Sequence, residues 1–375
     1  MRIRYLESFY GGSHRDVADG IAGHSRHDVA LSTLPARYWR WRMRAAGVHF
    51  ARELREEVRD ADLLVCTGLM SLTDLAALLG PQRPPILLYA HETQIVYPDR
   101  DAGMHVAFTD LANMLVANHI AFNSHTHRGA YLAELPGFLE RMPEYPPSWA
   151  IDEIARKSSV CYPGIEVAAP DDRAPGADSP SCAPCVRSRD DEGLPPLVLW
   201  NHRWEYDKDP DAFFAALRVA RERGYAFHLA LLGESPGREP SVFAAARTEF
   251  ASQLVHYGYL ESRDAYRAWL DAADIIVSTA IQENFGISVV EAIAHGALPL
   301  LPNRLSYPEI IPSEHHSCLY EDADLPDRLC ELLQRPRTQR RAPDGLVAHA
   351  RSFAWQQRIG EFDALFDRVA GAARG

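Results

Sequence analysis

The sequence predicts an α/β protein of two domains, each built around a parallel β-sheet. Apolar runs of strand length alternate with helix-like segments along most of the 375 residues, a pattern typical of parallel sheets covered by helices. A stretch rich in Pro, Asp, Ser and Gly interrupts this alternation and has little to bury. We therefore predict an N-terminal domain (1–167), a flexible linker (168–196), a C-terminal domain (197–351) and a helical segment (352–375) that could pack back on the N-terminal domain.

Composition and charge limit the class of protein. A hydrophobic content of 47% is typical of a globular chain with substantial cores. No apolar segment reaches about 18 residues, so no membrane span is expected. The first residues lack a signal-peptide core and the six cysteines favour a reducing compartment, which predicts a cytoplasmic protein. The net charge of −12 argues against non-specific polyanion binding over the whole surface, although a local basic patch remains possible.

The N-terminal domain begins with an apolar strand, residues 2–6, which runs into a glycine turn and a helix. Gly11, Gly12 and Ser13 form that turn. Paired glycines at the end of a strand let a diphosphate approach the backbone closely. An ordinary tight turn is the commoner explanation of such a pair, so these residues are candidate nucleotide contacts.

The densest mixture of basic and aromatic side chains lies at residues 34–44. Its candidate contact residues are Arg37, Trp39, Arg40, Trp41, Arg42 and Arg44. Aromatic rings stack on unpaired bases and guanidinium groups bind phosphates, which favours contact with single-stranded nucleic acid. The alternative, to which the spacing gives equal weight, is an amphipathic helix start whose arginines extend over buried tryptophans.

Further apolar runs complete the first predicted sheet, at residues 63–66, 86–89, 121–124 and 159–162, with a helix at 48–59 and a loop and helix at 67–79. His91 follows the second of these runs. Ligands of open α/β sheets bind at the carboxyl ends of the strands. His91 is therefore a candidate substrate contact, although a lone histidine is more often structural.

The predicted linker contains Cys182 and Cys185, whose spacing suits a metal ion or a redox pair. A structural zinc site needs about four ligands, and the sequence has no second C-x-x-C motif. We therefore predict no metal at these cysteines.

The C-terminal domain opens with a strand at residues 197–200, a polar loop and a helix that extends to Arg221. Arg203 and Lys208 lie in that loop, five residues apart. A guanidinium and an ammonium so placed can neutralise a diphosphate leaving group. The alternative is a surface loop whose cations pair with nearby acids.

Two more strands follow at residues 227–232 and 254–257. Tyr259 and Leu260 come just after the second of them. They are candidate contacts of a nucleotide base through backbone groups. Residues 352–369 predict an amphipathic helix.

The most informative stretch is residues 274–301, DIIVSTAIQENFGISVVEAIAHGALPLL. It predicts a strand at 275–280, a loop at 281–286 and a helix to about Ala294. Gly296 supplies the left-handed residue that ends this helix.

Two glutamates in this stretch are candidate ligand contacts. Glu283 lies in the loop at the carboxyl end of a strand, and Glu291 lies about one turn inside the helix. Ionised carboxylates accept several hydrogen bonds, so they can bind sugar hydroxyls beside a phosphate site at a helix start. In the alternative, Glu291 forms a capping box with Ser288 and Glu283 is a solvated loop residue.

Seven strings together resemble one family, the tRNA-queuosine α-mannosyltransferases, which are retaining glycosyltransferases with two Rossmann-like domains (GT-B). The strings are SFYGGSH, TLPARYWRWRMR, SLTDLAALL, YAHETQIVYP, FNSHTH, WNHRWEYDKDP and ENFGISVVEAIAHGALPLLPNRLSYPEII. The last string is specific only to the superfamily. The first, second and sixth strings, with HETQ, point to the narrower family.

The resemblance implies GDP-mannose as donor and the cyclopentenediol of queuosine, at the wobble position of a tRNA anticodon, as acceptor. It implies that the diphosphate is contacted by Arg203, Lys208, Gly11 and Gly12, and the ribose by Glu291. It implies that the sugar is contacted by Glu283 and by the backbone of Asn284, Phe285 and Gly286. His91 would contact the sugar near the acceptor. Many relatives space the Arg and Lys by six residues rather than five, which leaves the role of Lys208 open.

The expected chemistry separates a sugar with oxocarbenium character from a departing diphosphate. Preorganised cations and backbone amides stabilise that leaving group, and the sequence has no DxD-type pair in a suitable place. We therefore predict no metal and no cofactor beyond the donor. Retention of configuration is implied by the resemblance.

Two other functions remain open from the sequence. One is a glycosyltransferase of the same architecture with a lipid, polysaccharide or small-molecule acceptor. The other is a Rossmann oxidoreductase or a nucleotide-binding module, against which the first glycine turn lacks G-x-G-x-x-G. The tRNA that is read, the identity of the sugar, the oligomeric state and the purpose of the linker are not determined by the sequence.

Overall fold

The structure, a computed structural model, describes residues 1–97, 104–167, 194–235 and 239–372. The chain divides into two compact units, Met1–Ile165 with Phe353–Gly375, and Glu166–Ser352. Apart from residues 194–196, the predicted linker lies outside the described residues, and so do Cys182 and Cys185.

The first unit contains six parallel strands with helices between them. The strands are β1 (Arg2–Tyr10), β2 (Asp28–Pro35), β3 (Leu63–Thr67), β4 (Ile86–Ala90), β5 (His119–Phe122) and β6 (Ser158–Val160). The helices are α1 (Gly12–His24), α2 (Trp39–Glu53), α3 (Arg55–Arg59), α4 (Leu72–Leu79), α5 (Met104–Val116), α6 (His125–Leu139) and α7 (Ala150–Arg156). The sheet order is β2-β1-β3-β4-β5-β6. Strands β3 and β4 are buried at every residue, as expected for strands covered on both faces.

Strand β1 is longer than the predicted residues 2–6. It continues to Tyr10 because its buried polar residues form hydrogen bonds there. Glu7 Oε1 accepts from Thr67 Oγ1 at 3.0 Å, and Ser8 Oγ donates to Leu69 O at 2.6 Å. The helix predicted at 48–59 is also corrected, because the chain forms α2 and α3, which meet at Leu54 with a non-helical φ of −118°.

The second unit repeats this architecture. Its strands are β7 (Leu197–Trp200), β8 (His228–Leu231), β9 (Leu254–Tyr257), β10 (Ile275–Val277), β11 (Leu298–Pro302) and β12 (Leu319–Tyr320). Its helices are α8 (Pro210–Glu222), α9 (Ser241–Glu249), α10 (Arg263–Ala272), α11 (Ile287–Ala294), α12 (Tyr307–Ile310), α13 (Leu325–Gln334) and α14 (Asp344–Arg351). The strands are parallel in the order β12-β11-β10-β7-β8-β9. The predicted α/β class with two parallel sheets is confirmed.

Strand β10 ends at Val277, three residues before the predicted end. The chain turns away from the sheet there because Thr279 Oγ1 donates to Lys208 O at 2.7 Å and to Asp209 O at 2.8 Å. These bonds join the loop after β10 to the loop after β7.

Each sheet has a point at which its strand order reverses. That point lies between β1 and β3 in the first sheet and between β7 and β10 in the second. Ligands of open α/β sheets bind outside the carboxyl ends of the strands at such points. The predicted site residues Gly11, Arg203, Lys208 and Glu283 all follow strands that border a reversal point.

The last helix, α15 (Trp355–Ala372), begins three residues later than predicted and packs on the first unit. Trp355 is 1% exposed, and its ring fits against two glycines. A Cβ on Gly20 would lie 2.0 Å from this ring and a Cβ on Gly164 2.2 Å. Among the residues that the structure describes, no helix is long and apolar enough to cross a bilayer.

Candidate functional site

Lys208 lies at the reversal point of the second sheet, in a short 3-10 turn that precedes α8. Its Nζ donates to Gln282 O at 2.7 Å and lies 3.2 Å from Glu283 Oε2 and 3.3 Å from Asp207 Oδ2. Lys208 is 7% exposed, so it is not a surface residue. The fold therefore brings the predicted phosphate cation and the predicted sugar carboxylate into direct contact.

This contact determines the charge of Glu283. Burial by itself would raise the pKa of Glu283, but the charge of Lys208, followed by those of His202 and Arg203, lowers it below the usual value. Glu283 is therefore an ionised carboxylate that can accept hydrogen bonds from hydroxyl groups.

Arg203 is more exposed than Lys208, with half of its side chain accessible to solvent. Its Nη1 lies 3.1 Å from Glu205 Oε2 and its Nη2 lies 3.9 Å from Asp207 Oδ2. Pairing with nearby acids, the alternative considered above, therefore occurs for both cations. For Arg203, pairing is compatible with a second, anionic partner because a guanidinium has five N–H donors.

Helix α11 begins immediately after the loop that carries Glu283. Gly286 is its N-cap, in the left-handed region with φ 93°, and no side chain caps the helix. Asn284 and Phe285 are buried beside it. The capping-box alternative is wrong, because Ser288 lies inside the helix rather than at its cap.

Glu291 belongs to a hydrogen-bonded network that the sequence did not reveal. Its Oε2 accepts from Tyr266 Oη at 2.9 Å, and its Oε1 lies 3.8 Å from Arg263 Nη1. Asn201 Nδ2 donates to Tyr266 Oη at 3.1 Å and to Ser288 O at 2.8 Å. Tyr266 and Arg263 could have been suspected, because the first turn of a helix that follows a parallel strand lies at the carboxyl edge of the sheet.

Tyr259 and Leu260 follow β9, two strands away from the reversal point. Tyr259 is 48% exposed, and Gly258 before it has φ 120°. Their predicted role in binding a base through backbone groups stays a prediction.

The glycine turn of the first unit differs between its two glycines. Gly12 begins α1 with φ 51°, and a Cβ there would meet no atom within 4 Å. A Cβ on Gly11 would lie 2.5 Å from the Cβ of Ala36. Packing against Ala36 therefore explains Gly11, whereas the open backbone at Gly12 suits the approach of a ligand. Ser13 is exposed in the first turn of α1.

His91 follows β4 and belongs to a cluster with the buried residues Glu7 and His14 and the half-buried Glu92. The rings of His14 and His91 stack, with centroids 4.0 Å apart and an interplanar angle of 20°. His14 Nδ1 lies 3.2 Å from Glu7 Oε2, and His14 Nε2 lies 3.3 Å from Glu92 Oε2. Sequence reasoning identified only His91. His14 and Glu92 stand in strings that carry the family resemblance, whereas Glu7 lies just before the first of them.

The protonation states in this cluster differ sharply. Burial opposes a charge on His14, but the Glu7 and Glu92 carboxylates outweigh it and raise the pKa of His14 to about 10. Burial lowers the pKa of His91 well below its usual value, and the charges of His14 and His127 act in the same direction.

Glu7, His14 and His91 are also a group whose geometry could suit a metal ion. Their ligand atoms lie within 4.8 Å of one another. Both nitrogens of His14 already face carboxylates, and the lone pairs of two nearly parallel stacked rings do not converge on one point. This geometry favours a hydrogen-bonded cluster over a metal centre.

The basic and aromatic segment divides into two faces. Trp39 is half-buried and packs against the apolar cluster of Met43, Leu69 and Val106. Tyr38 and Trp41 are 75% and 67% exposed. Arg37, Arg40 and Arg44 are also exposed, whereas Arg42 is half-buried. The half-buried Trp39 fits the amphipathic-helix interpretation, whereas contact of the exposed side chains with nucleic acid stays a prediction.

Two parts of the chain match models of known protein families. Residues 2–165 match the model described as "tRNA-queuosine alpha-mannosyltransferase N-terminal". Residues 188–343 match the model "Glycosyl transferases group 1". A tRNA-queuosine alpha-mannosyltransferase of Drosophila melanogaster is 31% identical over 355 residues, which cover 91% of this chain and 89% of that protein.

Solved structures support the fold over nearly the whole chain. A sucrose-phosphate synthase from Thermosynechococcus elongatus has a TM-score of 0.73 at 14% identity, covering 99% of this chain and 100% of the other. HepE of Anabaena in complex with UDP and glucose has a TM-score of 0.66 at 15% identity, with the same coverage. At these identities the likeness concerns the fold alone, which is of the GT-B type.

Proposed function

The chain belongs to the family of tRNA-queuosine α-mannosyltransferases, and from that premise we propose that it transfers mannose from GDP-mannose to queuosine. The acceptor is the cyclopentenediol of queuosine in a tRNA anticodon, and the sugar keeps its configuration. The observation that carries this proposal is the identity of 31% to the Drosophila relative over 91% of the chain. The broader activity, glycosyl transfer, is established by the group 1 family match.

The donor binds in this proposal at the reversal point of the second sheet. Arg203 and Lys208 neutralise the diphosphate, and Glu291 accepts hydrogen bonds from the ribose. Glu283, kept ionised by Lys208, accepts from hydroxyls of the mannose. Tyr266 limits the orientations of Glu291 by donating to one of its oxygens.

Charge separation explains how these groups accelerate the reaction. Cleavage of the bond between the anomeric carbon and the phosphate oxygen leaves negative charge on the diphosphate. Cations already in position stabilise that charge without reorganisation. The departing phosphate accepts the proton of the attacking cyclopentenediol hydroxyl, which attacks the same face. In this proposal no metal ion is required.

The acceptor tRNA contacts the exposed face of α2 in this proposal. Tyr38 and Trp41 offer rings for base stacking, and Arg37, Arg40 and Arg44 offer guanidinium groups for phosphates. Arg42 and Trp39 are both half-buried, and in this proposal they contribute to the shape of the surface rather than to direct contact.

The activity is tested by incubating the protein with queuosine-containing tRNA and, separately, GDP-mannose, GDP-glucose, UDP-glucose and UDP-galactose. Mass spectrometry of the digested nucleosides should show one added hexose on queuosine only with GDP-mannose. tRNA that lacks queuosine is the matched control and should gain nothing. A product with another donor, or none with any donor, would overturn the assignment.

The tRNA surface is tested by Trp41→Ala, with Trp39→Ala as the matched control on the same helix. Stacking on an aromatic ring contributes about 1–3 kcal/mol per base, so Trp41→Ala should weaken tRNA binding roughly 5- to 150-fold at unchanged stability. Trp39→Ala should instead lower the melting temperature. Equal tRNA binding by Trp41→Ala and the wild type would refute the proposed tRNA surface. Binding of the wild type to anionic liposomes through Trp41 would favour a lipid acceptor.

A further inference from the structure

The His14 side chain has an acceptor at each of its two ring nitrogens. Nδ1 lies 3.2 Å from Glu7 Oε2 and Nε2 lies 3.3 Å from Glu92 Oε2. An ionised carboxylate only accepts hydrogen bonds, and a neutral imidazole has a single N–H to donate. With both carboxylates ionised, only the imidazolium form can donate to both, so the geometry favours a charged His14.

The carboxylate of Glu7 is fixed from the opposite side. Its Oε1 accepts from Phe9 N at 2.8 Å and from Thr67 Oγ1 at 3.0 Å. Glu7 is fully buried, and these bonds place it between β1 and β3, next to the reversal point of the sheet. The carboxylate that contacts His14 Nδ1 is therefore held in place by residues of β1 and β3. Only the second carboxylate, that of Glu92, lies on the loop after β4.

His91 lies between two rings. The His14 ring stacks on it at 4.0 Å, and the Tyr89 ring meets it edge-on at 4.9 Å and 80°. Asn123 Nδ2 donates to the backbone oxygen of His91 at 3.0 Å. The ring therefore has little freedom to rotate.

The charged and titratable groups that face His91 come from four elements. They are Glu7 on β1, His14 on α1, Tyr89 and Glu92 on and after β4, and His127 on α6. A second positive charge on His91 would lie face to face with the imidazolium of His14. The like charges repel at this distance, which disfavours protonation of His91.

We propose that His14 is a positioning residue: clamped as an imidazolium between Glu7 and Glu92, it holds the stacked His91 in one orientation and in the neutral form. This inference rests on the proposed function and on the contact of His91 with the mannose, near the acceptor, that the family resemblance implies. A neutral imidazole can accept a hydrogen bond from a sugar or cyclopentenediol hydroxyl, whereas an imidazolium can only donate. The arrangement keeps that acceptor present over the physiological pH range.

Two variants test the proposal. His14→Phe keeps a planar ring against His91 and removes the charge. His119→Gln is the matched control. His119 lies at the amino end of β5, whereas His91 follows the carboxyl end of β4, so the two residues lie at opposite ends of the strands. The pH dependence of kcat should be flat for the wild type between about pH 6 and 9, well above the lowered pKa of His91. His14→Phe removes only the repulsion from His14, whereas burial, the larger cause of the lowered pKa of His91, remains. The variant should therefore lose about twofold in kcat at pH 6 and recover at higher pH as His91 loses its proton, with KM for GDP-mannose nearly unchanged.

Nitrogen-15 NMR of the histidine-labelled protein supplies a readout that does not need turnover. One histidine should keep both ring nitrogens protonated to about pH 9, and the Glu92→Gln variant should lower the pH at which it titrates and thereby assign it as His14. All histidines titrating near the ordinary value of about 6.5 would overturn the proposal. Stoichiometric binding of Zn²⁺ to these nitrogens would overturn it as well.

Failure of the proposed function and failure of the His14 inference give different results. If the wild type transfers no hexose to queuosine-containing tRNA, the proposed function fails. If the wild type is active and His91→Ala remains fully active, the contact of His91 with the mannose fails and the inference about His14 fails with it. If the wild type is active and His14→Phe has the same pH profile as wild type and His119→Gln, only the inference about His14 fails.

Discussion

The contact between Lys208 and Glu283 supports a quantitative prediction about stability. Lys208→Met keeps the length of the side chain and removes its charge. The carboxylates of Glu283 and Asp207, whose side chains are 17% and 10% exposed, then lose their shared cation. We expect the second unit to become less stable whether or not the protein is an active transferase.

The magnitude follows from burial. Removing one partner of a buried ion pair costs about 3–5 kcal/mol, but residual solvent access and the nearby Arg203 reduce this to about 2–3 kcal/mol. For a unit of this size that corresponds to a fall in melting temperature of roughly 4–12 °C. Glu283→Gln should cost about 1 kcal/mol, because Lys208 keeps its bonds to Gln282 and Asp207.

The assay is a double-mutant cycle by thermal and urea unfolding of the full chain. Lys208→Met/Glu283→Gln should be more stable than the sum of the single changes predicts, with a coupling of about 1–2 kcal/mol. The folded pKa of Glu283 is lowered, so its stabilising effect is present above the unfolded pKa and is lost as the pH falls. The penalty of Lys208→Met should therefore shrink below about pH 4. Additive single changes within about 0.5 kcal/mol would refute the contact.

Three further predictions follow from particular contacts. Gly20→Ala should destabilise the protein by about 1–3 kcal/mol, because its Cβ would lie 2.0 Å from the ring of Trp355. Gly23→Ala, also on α1, has open space around its Cβ and should be neutral or stabilising. Urea unfolding measures both changes. Tyr266→Phe removes the hydroxyl that donates to Glu291 and should weaken GDP binding roughly 2- to 13-fold by calorimetry, whereas an unchanged Kd would contradict that role. The pKa of His14 is raised to about 10, so its contribution to stability is full below about pH 6.5 and should be lost as the pH rises to about 10; a flat stability profile in that window would argue against the ion pairs.

Local patterns predicted most of the fold. Runs such as LLVC and ILLY are short and almost wholly apolar, so they indicate strands buried on both faces. The errors lie at element ends, as at β1 and β10, where polar side chains decide the boundary through distant partners. Glu7 prolongs β1 because Thr67 donates to it across the sheet, and no feature of residues 1–10 reveals that donor.

The candidate site was predicted less completely than the fold. Arg203, Lys208 and Glu283 were identified from the types of residue on loops at strand ends, and Glu291 from its place about one turn inside the helix that follows. Tyr266, which donates to Glu291, was missed because a tyrosine in the first turn of a polar helix resembles an ordinary surface residue.

The sequence by itself determined the alternation of strands and helices, the two-domain α/β class and the family. These depend on periodicity, composition and local motifs. Only the tertiary structure decided which side chains meet: Lys208 contacts Glu283 across 75 residues, and His14 contacts Glu92 across 78. The physical reason is that strand order brings these loops together, and contacts of about 3 Å depend on the packing of the whole unit, whereas a local pattern records only its own neighbours.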